Sequence, residues 1–259
     1  MKVTVLGCGS SGGVPTAGGD WGVCDPNEPR NIRTRPSILV EEGGTTILVD
    51  TGPDMRVQLL AAKQHKIDAI LYTHTHADHT HGFDDIRYLN VVQRQALPIY
   101  GDATTIGELQ LRFAYAFAPR EPGTFYRPHV VPHIIGTEPF TAGAVTVQAF
   151  VQEHGYSNSL GFRFGKFAYS TDVRMLDETA FAALAGIEVW VVDALREEPH
   201  PVHSHVAQTL EWIKRLGVKQ AYLTHMNQAM DYRTQCAKLP AGVAPAYDGL
   251  TINLTPTPK

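Results

Sequence analysis

Short apolar runs broken by glycine and proline dominate the chain, and most of them have the length of a strand. Residues 2–6 form a first such run, followed by the turn-rich loop Gly7-Cys8-Gly9-Ser10-Ser11-Gly12-Gly13-Val14-Pro15. Two runs, 37–41 and 45–50, meet at Gly43-Gly44 and predict a hairpin. A helix over about 53–63 follows, with Pro53 in its first turn and Met55, Leu59 and Leu60 facing a sheet. Ile70-Leu71-Tyr72 reads as a buried strand, 97–100 as a short one, and 102–115 as a helix. A second set of strands is expected over 129–135 and 144–151, then 160–164, 167–169, 187–192, 221–224 and 250–254. Val206, Leu210, Ile213 and Leu216 recur at helical spacing. Strands followed by helices in each half suggest an internal pseudo-repeat.

Chemistry concentrates where one of these strands stops. His74-Thr75-His76-Ala77-Asp78-His79 places four potential metal ligands within six residues, just after the 70–72 run. On an extended backbone His74 and His76 project to the same side and can share one ion, while Asp78 and His79 begin the next turn and can reach a second. Imidazole and carboxylate suit zinc, manganese, iron or nickel, and the donor set alone does not choose among them.

The string HTHADH resembles the HxHxDH signature of the metallo-beta-lactamase superfamily. Further residues match that family's motifs in order along almost the whole chain. The resemblance implies an α/β fold of four layers, αββα, with two mixed β-sheets flanked by helices, in one domain over 1–259. By the same resemblance His154, in Glu153-His154-Gly155-Tyr156, completes a first metal site with His74 and His76. Asp78, His79 and His225 form a second, and Asp172 of Ser170-Thr171-Asp172 bridges both. Asp50, in Asp50-Thr51-Gly52-Pro53-Asp54, is implied to steady the histidine loop without touching metal, and Ala246-Tyr247-Asp248-Gly249 resembles the closing motif. The glycine string after the first strand resembles the opening of the phosphodiesterase and RNase Z branches. It lacks the Lys-Ser/Thr ending of a phosphate-binding P-loop.

Two departures from the phosphoribosyl cyclic phosphodiesterases of that superfamily matter. They hold an extra structural zinc on several cysteines and a late histidine; this chain has one cysteine in that loop, Cys24, and Gln228 at the histidine position. One thiol cannot make a tetrahedral site, so no structural zinc is expected. Arg30, Arg33 and Arg35 of the same loop are candidates to contact a substrate phosphate, but a solvated loop face is the expectation for them. Arg87, Tyr156 and Arg196 are candidate substrate contacts, Arg87 alternatively pairing with Asp84 or Asp85. The segment 118–132, with Arg120, Phe125, Tyr126, Arg127 and His129, is expected to be a lid or wall. His81, His200 and His205 receive no assigned role.

Charge and cysteine usage narrow the partners. A net charge of −4 offers no basic field for large nucleic acid, so the substrate expected is a small molecule. Cys8, Cys24 and Cys236 are scattered and odd in number, which argues against a disulfide framework. No apolar run nears the length of a membrane span, and no signal-peptide core precedes Gly7, so the expected location is the cytoplasm. A homodimer is suggested by analogy alone.

His203 separates the branches. It precedes the helix at 206, and in the phosphodiesterase and RNase Z branches a histidine so placed acts as general acid or stabilises the departing oxygen, whereas beta-lactamases lack it. The expected function is therefore hydrolysis of a small cyclic phosphate or nucleotide-like phosphodiester. A hydroxide between two divalent ions, zinc or manganese, would attack phosphorus, with Asp78 in the metal site and His203 protonating the leaving oxygen. The alternatives are an acyl hydrolase of thioesters or lactones, a non-catalytic metal-dependent carrier of the same fold, and RNase Z activity. The last is disfavoured because 118–132 is too short for an arm that holds tRNA.

Overall fold

The computed structural model describes residues 1–119 and 126–254. Its first half runs β1 (Lys2–Gly7), β2 (Ser37–Glu42), β3 (Thr45–Val49), α1 (Met55–Ala61), β4 (Ala69–Leu71), α2 (Ala77–Thr80), α3 (Ile86–Gln93), β5 (Leu97–Gly101), α4 (Ala103–Arg112), α5 (Ala114–Phe117) and β6 (Val130–Ile134). The second runs β7 (Phe140–Ala142), β8 (Val145–His154), β9 (Ser157–Phe164), β10 (Phe167–Ser170), α6 (Glu178–Leu184), β11 (Val189–Asp193), α7 (Val206–Leu216), β12 (Gln220–Thr224), α8 (Tyr232–Lys238), β13 (Val243–Pro245) and β14 (Thr251–Asn253).

These strands make two sheets of seven, in the orders β14-β1-β2-β3-β4-β5-β6 and β13-β12-β11-β10-β9-β8-β7. Each is mixed: β14 through β3 pair antiparallel and β3 through β6 parallel, while β7 through β10 pair antiparallel and β10 through β13 parallel. Strand alternation explains the layering. Ile38 and Val40 of β2, Ile47 and Val49 of β3, and Leu71 of β4 enter a core shared with Phe162, Val191 and Leu223 of the other sheet. Their neighbours Leu39, Leu48 and Ile70 point the other way, into a second core with Met55, Leu59, Ile86 and Ile106 of the covering helices. On the far side Phe181, Leu184, Trp212 and Ile213 of α6 and α7 cover the second sheet. The four-layer αββα sandwich follows from that alternation.

Several elements differ in detail from the sequence pattern. Leu60 is 57% exposed, because the α1 face that meets the sheet is completed by Met55, Gln58 and Leu59. The 129–135 strand is the edge of the first sheet, parallel to β5 with Leu97 opposite Val130, and does not open the second. The helix expected over 102–115 breaks at Phe113, whose ring stacks on Phe83 at 4.6 Å. Strand β7, only three residues long, carries too little pattern to be read. Of the expected lid, Arg120 and Phe125 lie outside the described residues; Tyr126 is exposed, and His129 is buried with its N–H donated to Asn90 Oδ1 at 2.8 Å.

The closing motif ties the ends of the chain together. Asp248 accepts from Cys8 N (3.1 Å) and Cys8 Sγ (3.5 Å) on one oxygen, and from Thr34 N and Thr34 Oγ1 (both 2.7 Å) on the other. Burial pushes its carboxyl up to about 6 against those four donors. A folded value raised above the unfolded one (about 3.9) gives stability that is fully present below pH ~4 and lost as pH rises through about 6. Urea unfolding of the wild type and Asp248→Asn is expected to show the stability difference moving against the wild type by up to about 3 kcal/mol between pH 4 and pH 8. A pH-independent difference would mean that Asp248 stays ionised throughout.

Candidate metal centre

The site is assembled from loops at the ends of β3, β4, β8, β10 and β12. Asp50 and His225, the residues just beyond β3 and β12, and Asp172, two residues beyond β10, have φ of 64°, 57° and 53°. Non-glycine residues rarely occupy this left-handed region, and backbone strain gathered around one point marks a place where side-chain position outweighs backbone comfort. The loop carrying Asp50 is locked to the histidine stretch: Thr51 N donates to His79 O and Gly82 N to Thr51 O, both at 2.8 Å. A Cβ on Gly52 would lie 2.2 Å from Asp78 O, so only glycine permits that approach. The single turn α2 then lifts Asp78 and His79 one step beyond His76.

Two four-ligand groups result, His74, His76, His154 and Asp172 in one and Asp78, His79, Asp172 and His225 in the other, with Asp193, His203 and His225 as a third group that shares His225, the atoms of each within 4.8 Å of one another. In the first, His154 Nε2 lies 3.6 Å from Asp172 Oδ1 and 3.4 Å from His76 Nδ1. In the second, His79 Nε2 is 3.0 Å from Asp172 Oδ2 and 3.3 Å from Asp78 Oδ2, and His225 Nε2 is 3.3 Å from Asp172 Oδ1. Asp172 thus belongs to both groups, and the first histidine motif is split between them as its spacing predicts.

The residues fit divalent cations. His74 Nε2, His79 Nε2 and His225 Nε2 are buried with no hydrogen-bond partner among the described residues, an arrangement that a coordinate bond would satisfy. Burial holds His74 and His154 below the usual imidazole range, which keeps them neutral lone-pair donors. His79 is also desolvated, yet Asp172, Asp78 and Asp50 together push it above that range, so this pocket favours positive charge.

Outer contacts fix the rings. His79 Nδ1 is 2.7 Å from Asp50 Oδ2, and Asp50 also accepts from Thr73 N and Thr73 Oγ1, both at 2.8 Å. His154 Nδ1 is 2.7 Å from Val202 O. Each leaves Nε2 directed at the site, the tautomer a ligand needs. Asp50→Ala is expected to weaken metal affinity 10–100-fold, roughly the cost of losing such a partner, as read by competition with a chromogenic chelator. Unchanged affinity would reduce Asp50 to a turn residue.

His203 stands against both groups. Its ring stacks on His225 at 4.6 Å and meets His154 edge-on at 4.8 Å. Its Nδ1 is 3.0 Å from Asp193 Oδ2, which also accepts Val173 N at 3.0 Å. Burial pulls this imidazole down, but the Asp193 carboxylate outweighs it and raises the group to about 9. Asp193 was legible only as the end of a strand; its role depends on a partner ten residues away in a loop.

The remaining candidates make contacts of their own. Arg87 makes no ion pair with Asp84 or Asp85 among the described residues, donating instead to Tyr126 O at 3.0 Å and stacking over the Tyr88 ring. Arg196 donates to Glu198 O and Pro199 O within its own loop. Tyr156 is 99% exposed in the β8–β9 turn. His81 is exposed, with Nδ1 3.1 Å from Thr80 Oγ1; His205 stands at the N-cap position of α7 with no side-chain capping bond among the described residues, and the His200 ring lies 5.2 Å from His203. Arg33, expected in solvent, is 2% exposed and holds the loop after β12. Cys24 Sγ lies against Gln228 O at 3.4 Å and Arg33 Nη1 at 4.0 Å.

Comparison with known proteins agrees with this geometry. Residues 45–226 match the model of the beta-lactamase superfamily domain. A solved structure described as a new diphosphatase from the PhnP family is 35% identical, with TM-score 0.89, over 97% of this chain and 96% of that one. Among curated proteins, the octanoyltransferase of Porphyromonas gingivalis is 30% identical over 96% of this chain, and the ribonuclease Z of Bradyrhizobium sp. (strain ORS 278) is 33% identical over 52%. This chain spans about half the length of these two, 51% and 46%. With the motif, the two mixed sheets and a match over most of its length, the chain belongs to the beta-lactamase superfamily.

Proposed function

We propose that this chain is a metal-dependent phosphodiesterase acting on a small cyclic phosphate or nucleotide-like diester. His74, His76 and His154 would hold one divalent cation, Asp78, His79 and His225 another, and Asp172 both. When bound, such ions, zinc or manganese for this donor set, lower the pKa of water and neutralise phosphoryl oxygens. The chain's own proton chemistry falls to His203. Asp193 occupies Nδ1, leaving Nε2 as the nitrogen that can give a proton to the departing alkoxide oxygen. The buried His203–Asp193 pair beside both ligand groups is the observation that carries this reading, because an alkoxide leaves poorly without a proton. The diphosphatase and ribonuclease Z relatives support phosphoester chemistry.

The test is hydrolysis of bis-p-nitrophenyl phosphate against p-nitrophenyl phosphate and an acyl ester, after metal analysis and with manganese or zinc added. Diester-selective turnover abolished by chelation is the expected result. A second reading, acyl hydrolysis, draws on the name of the P. gingivalis relative. No cysteine belongs to the ligand groups or the His203 pair, so this chain brings no thiol to that chemistry there. Acyl turnover without diester turnover would establish that second reading, and two bound metals without either would leave a carrier.

A further inference from the structure

Three imidazole rings stand around His203 among the described residues. His225 and His154 belong to the ligand groups; the third, His200, lies 5.2 Å from His203 at a tilt of 39°, and the proton chemistry above leaves it unused. The two ligand rings mark the metal side of His203, whereas His200 is half-buried, with part of its ring open to solvent. The rest of an alcohol whose oxygen meets His203 must lie on this open side. We propose that His200 determines leaving-group specificity: its Nε2–H donates to a hydroxyl on the carbon next to the departing oxygen, so diesters that carry that hydroxyl are preferred to their deoxy counterparts. The inference rests on the phosphodiesterase reading, which puts the departing oxygen at His203.

The loop between β11 and α7 is built to hold this ring still. Leu195 N donates to Ser204 O at 3.1 Å and Val206 N to Arg196 O at 3.0 Å, which closes the loop at its base. Pro199 and Pro201 flank His200, fixing φ on either side and keeping His200 itself extended. Val202 then ties the ring to a ligand: its O lies 2.7 Å from His154 Nδ1, and its N donates to His200 Nδ1 at 3.4 Å. The β8–β9 turn packs so closely here that a Cβ on Gly155 would lie 2.3 Å from Val202 Cγ1. Because Nδ1 accepts, the proton sits on Nε2, which has no acceptor among the described residues. The charges nearby decide what this N–H can recognise. Arg196 gives Nε to Glu198 O at 3.2 Å and Nη2 to Pro199 O at 2.8 Å, and Glu197 is held by Gln235 and Lys238 of α8. Burial, with His203 and Arg196 adding to it, holds His200 below the usual imidazole range, so the ring is neutral. A single neutral N–H matches a hydroxyl oxygen, whereas an anionic group calls for a charged fork or ammonium. On an alcohol the acceptor nearest the departing oxygen is an oxygen on the adjacent carbon, which two neighbouring rings can meet together.

Adenosine 3′,5′-cyclic phosphate and its 2′-deoxy analogue differ by one hydroxyl, on the carbon next to O3′, and test this on the metal-loaded protein. Wild type is expected to favour the ribose compound about tenfold in kcat/KM, the contribution of one hydrogen bond, with the 5′-monophosphate as product because O3′ departs. His200→Ala and His200→Phe, the second of which keeps a ring in place, should each reduce that ratio to about twofold or less. His200→Gln, which keeps an N–H, should retain part of it. A ring that only supports the loop would slow both compounds alike and leave the ratio intact, and that result would overturn the proposal. So would no preference in wild type, or release of the 3′-monophosphate. With two variants that remove the donor, a folding failure in one leaves the other to read the ratio. Should neither compound turn over, calorimetric Kd values for the same pair separate the two readings. A binding preference of about tenfold that is lost in His200→Phe keeps the contact and ends the phosphodiesterase reading; equal binding of the pair ends both.

Discussion

Replacing His203 with Ala lowers kcat about 10²–10⁴-fold on a phosphodiester with an alkyl leaving group, the usual worth of a positioned general acid, while bound metal stays at the wild-type amount. The geometry separates these two readouts. His203 Nδ1 is committed to Asp193, and its ring lies beside His154 and His225 without being needed to complete either four-ligand group. Asp193 keeps its bond from Val173 N in the variant, so the loop retains an anchor. The loss should be much smaller on a p-nitrophenyl ester, whose leaving anion is already stable and needs little protonation. That contrast between leaving groups distinguishes an acid from a residue that only shapes the site, since a distorted site would slow both substrates alike. Equal losses on the two esters, or loss of metal together with activity, would remove His203 from the proton-transfer role.

How much of this could be read from the sequence depended on how local each feature was. His74, His76, Asp78 and His79 form one short string at the end of a strand, and period-two geometry already divided them between two groups. His154, Asp172 and His225 were single residues whose meaning came from family resemblance; the folded chain brings them together because the two sheets place strands β4, β8, β10 and β12 with the ends carrying these residues toward one point. Partnerships across long loops were not legible. Asp193 with His203, Val202 O with His154, and Arg33 with the loop after β12 each join segments whose spacing follows no repeat. Arg33 shows the physical reason most clearly. An arginine among prolines, asparagines and other arginines has the composition of a solvated loop, and only the carbonyls it meets in the fold make burial tolerable.

Replacing Arg33 with Ala is expected to destabilise the protein by about 2–5 kcal/mol, the range for truncating a large, fully buried side chain. Its Nη2 donates to Met230 O at 2.6 Å and Asn31 Oδ1 at 3.2 Å, and its Nη1 to Asn227 O at 3.3 Å. Truncation leaves those acceptors facing a cavity, so the penalty combines lost hydrogen bonds, desolvation and packing. Among the described residues no carboxylate pairs directly with the guanidinium; its charge is spread over three neutral oxygens from two segments, and the fork geometry is what spans them. Arg33→Lys should therefore recover little, because one ammonium cannot reach all three. The consequence for the site is specific. Asn227 and Met230 lie just beyond His225, and Arg33 ties that stretch to the Cys24 loop, so the variant should lose affinity chiefly at the group containing His225 and keep the group containing His74, His76 and His154. Urea unfolding reads the first effect, and metal stoichiometry against added zinc on the folded fraction reads the second. A loss below about 1 kcal/mol, as small as an ordinary surface substitution or exposed ion pair, would mean that the backbone bonds from Met226 N to Cys8 O and from Val23 N to Gln228 O hold the loop by themselves.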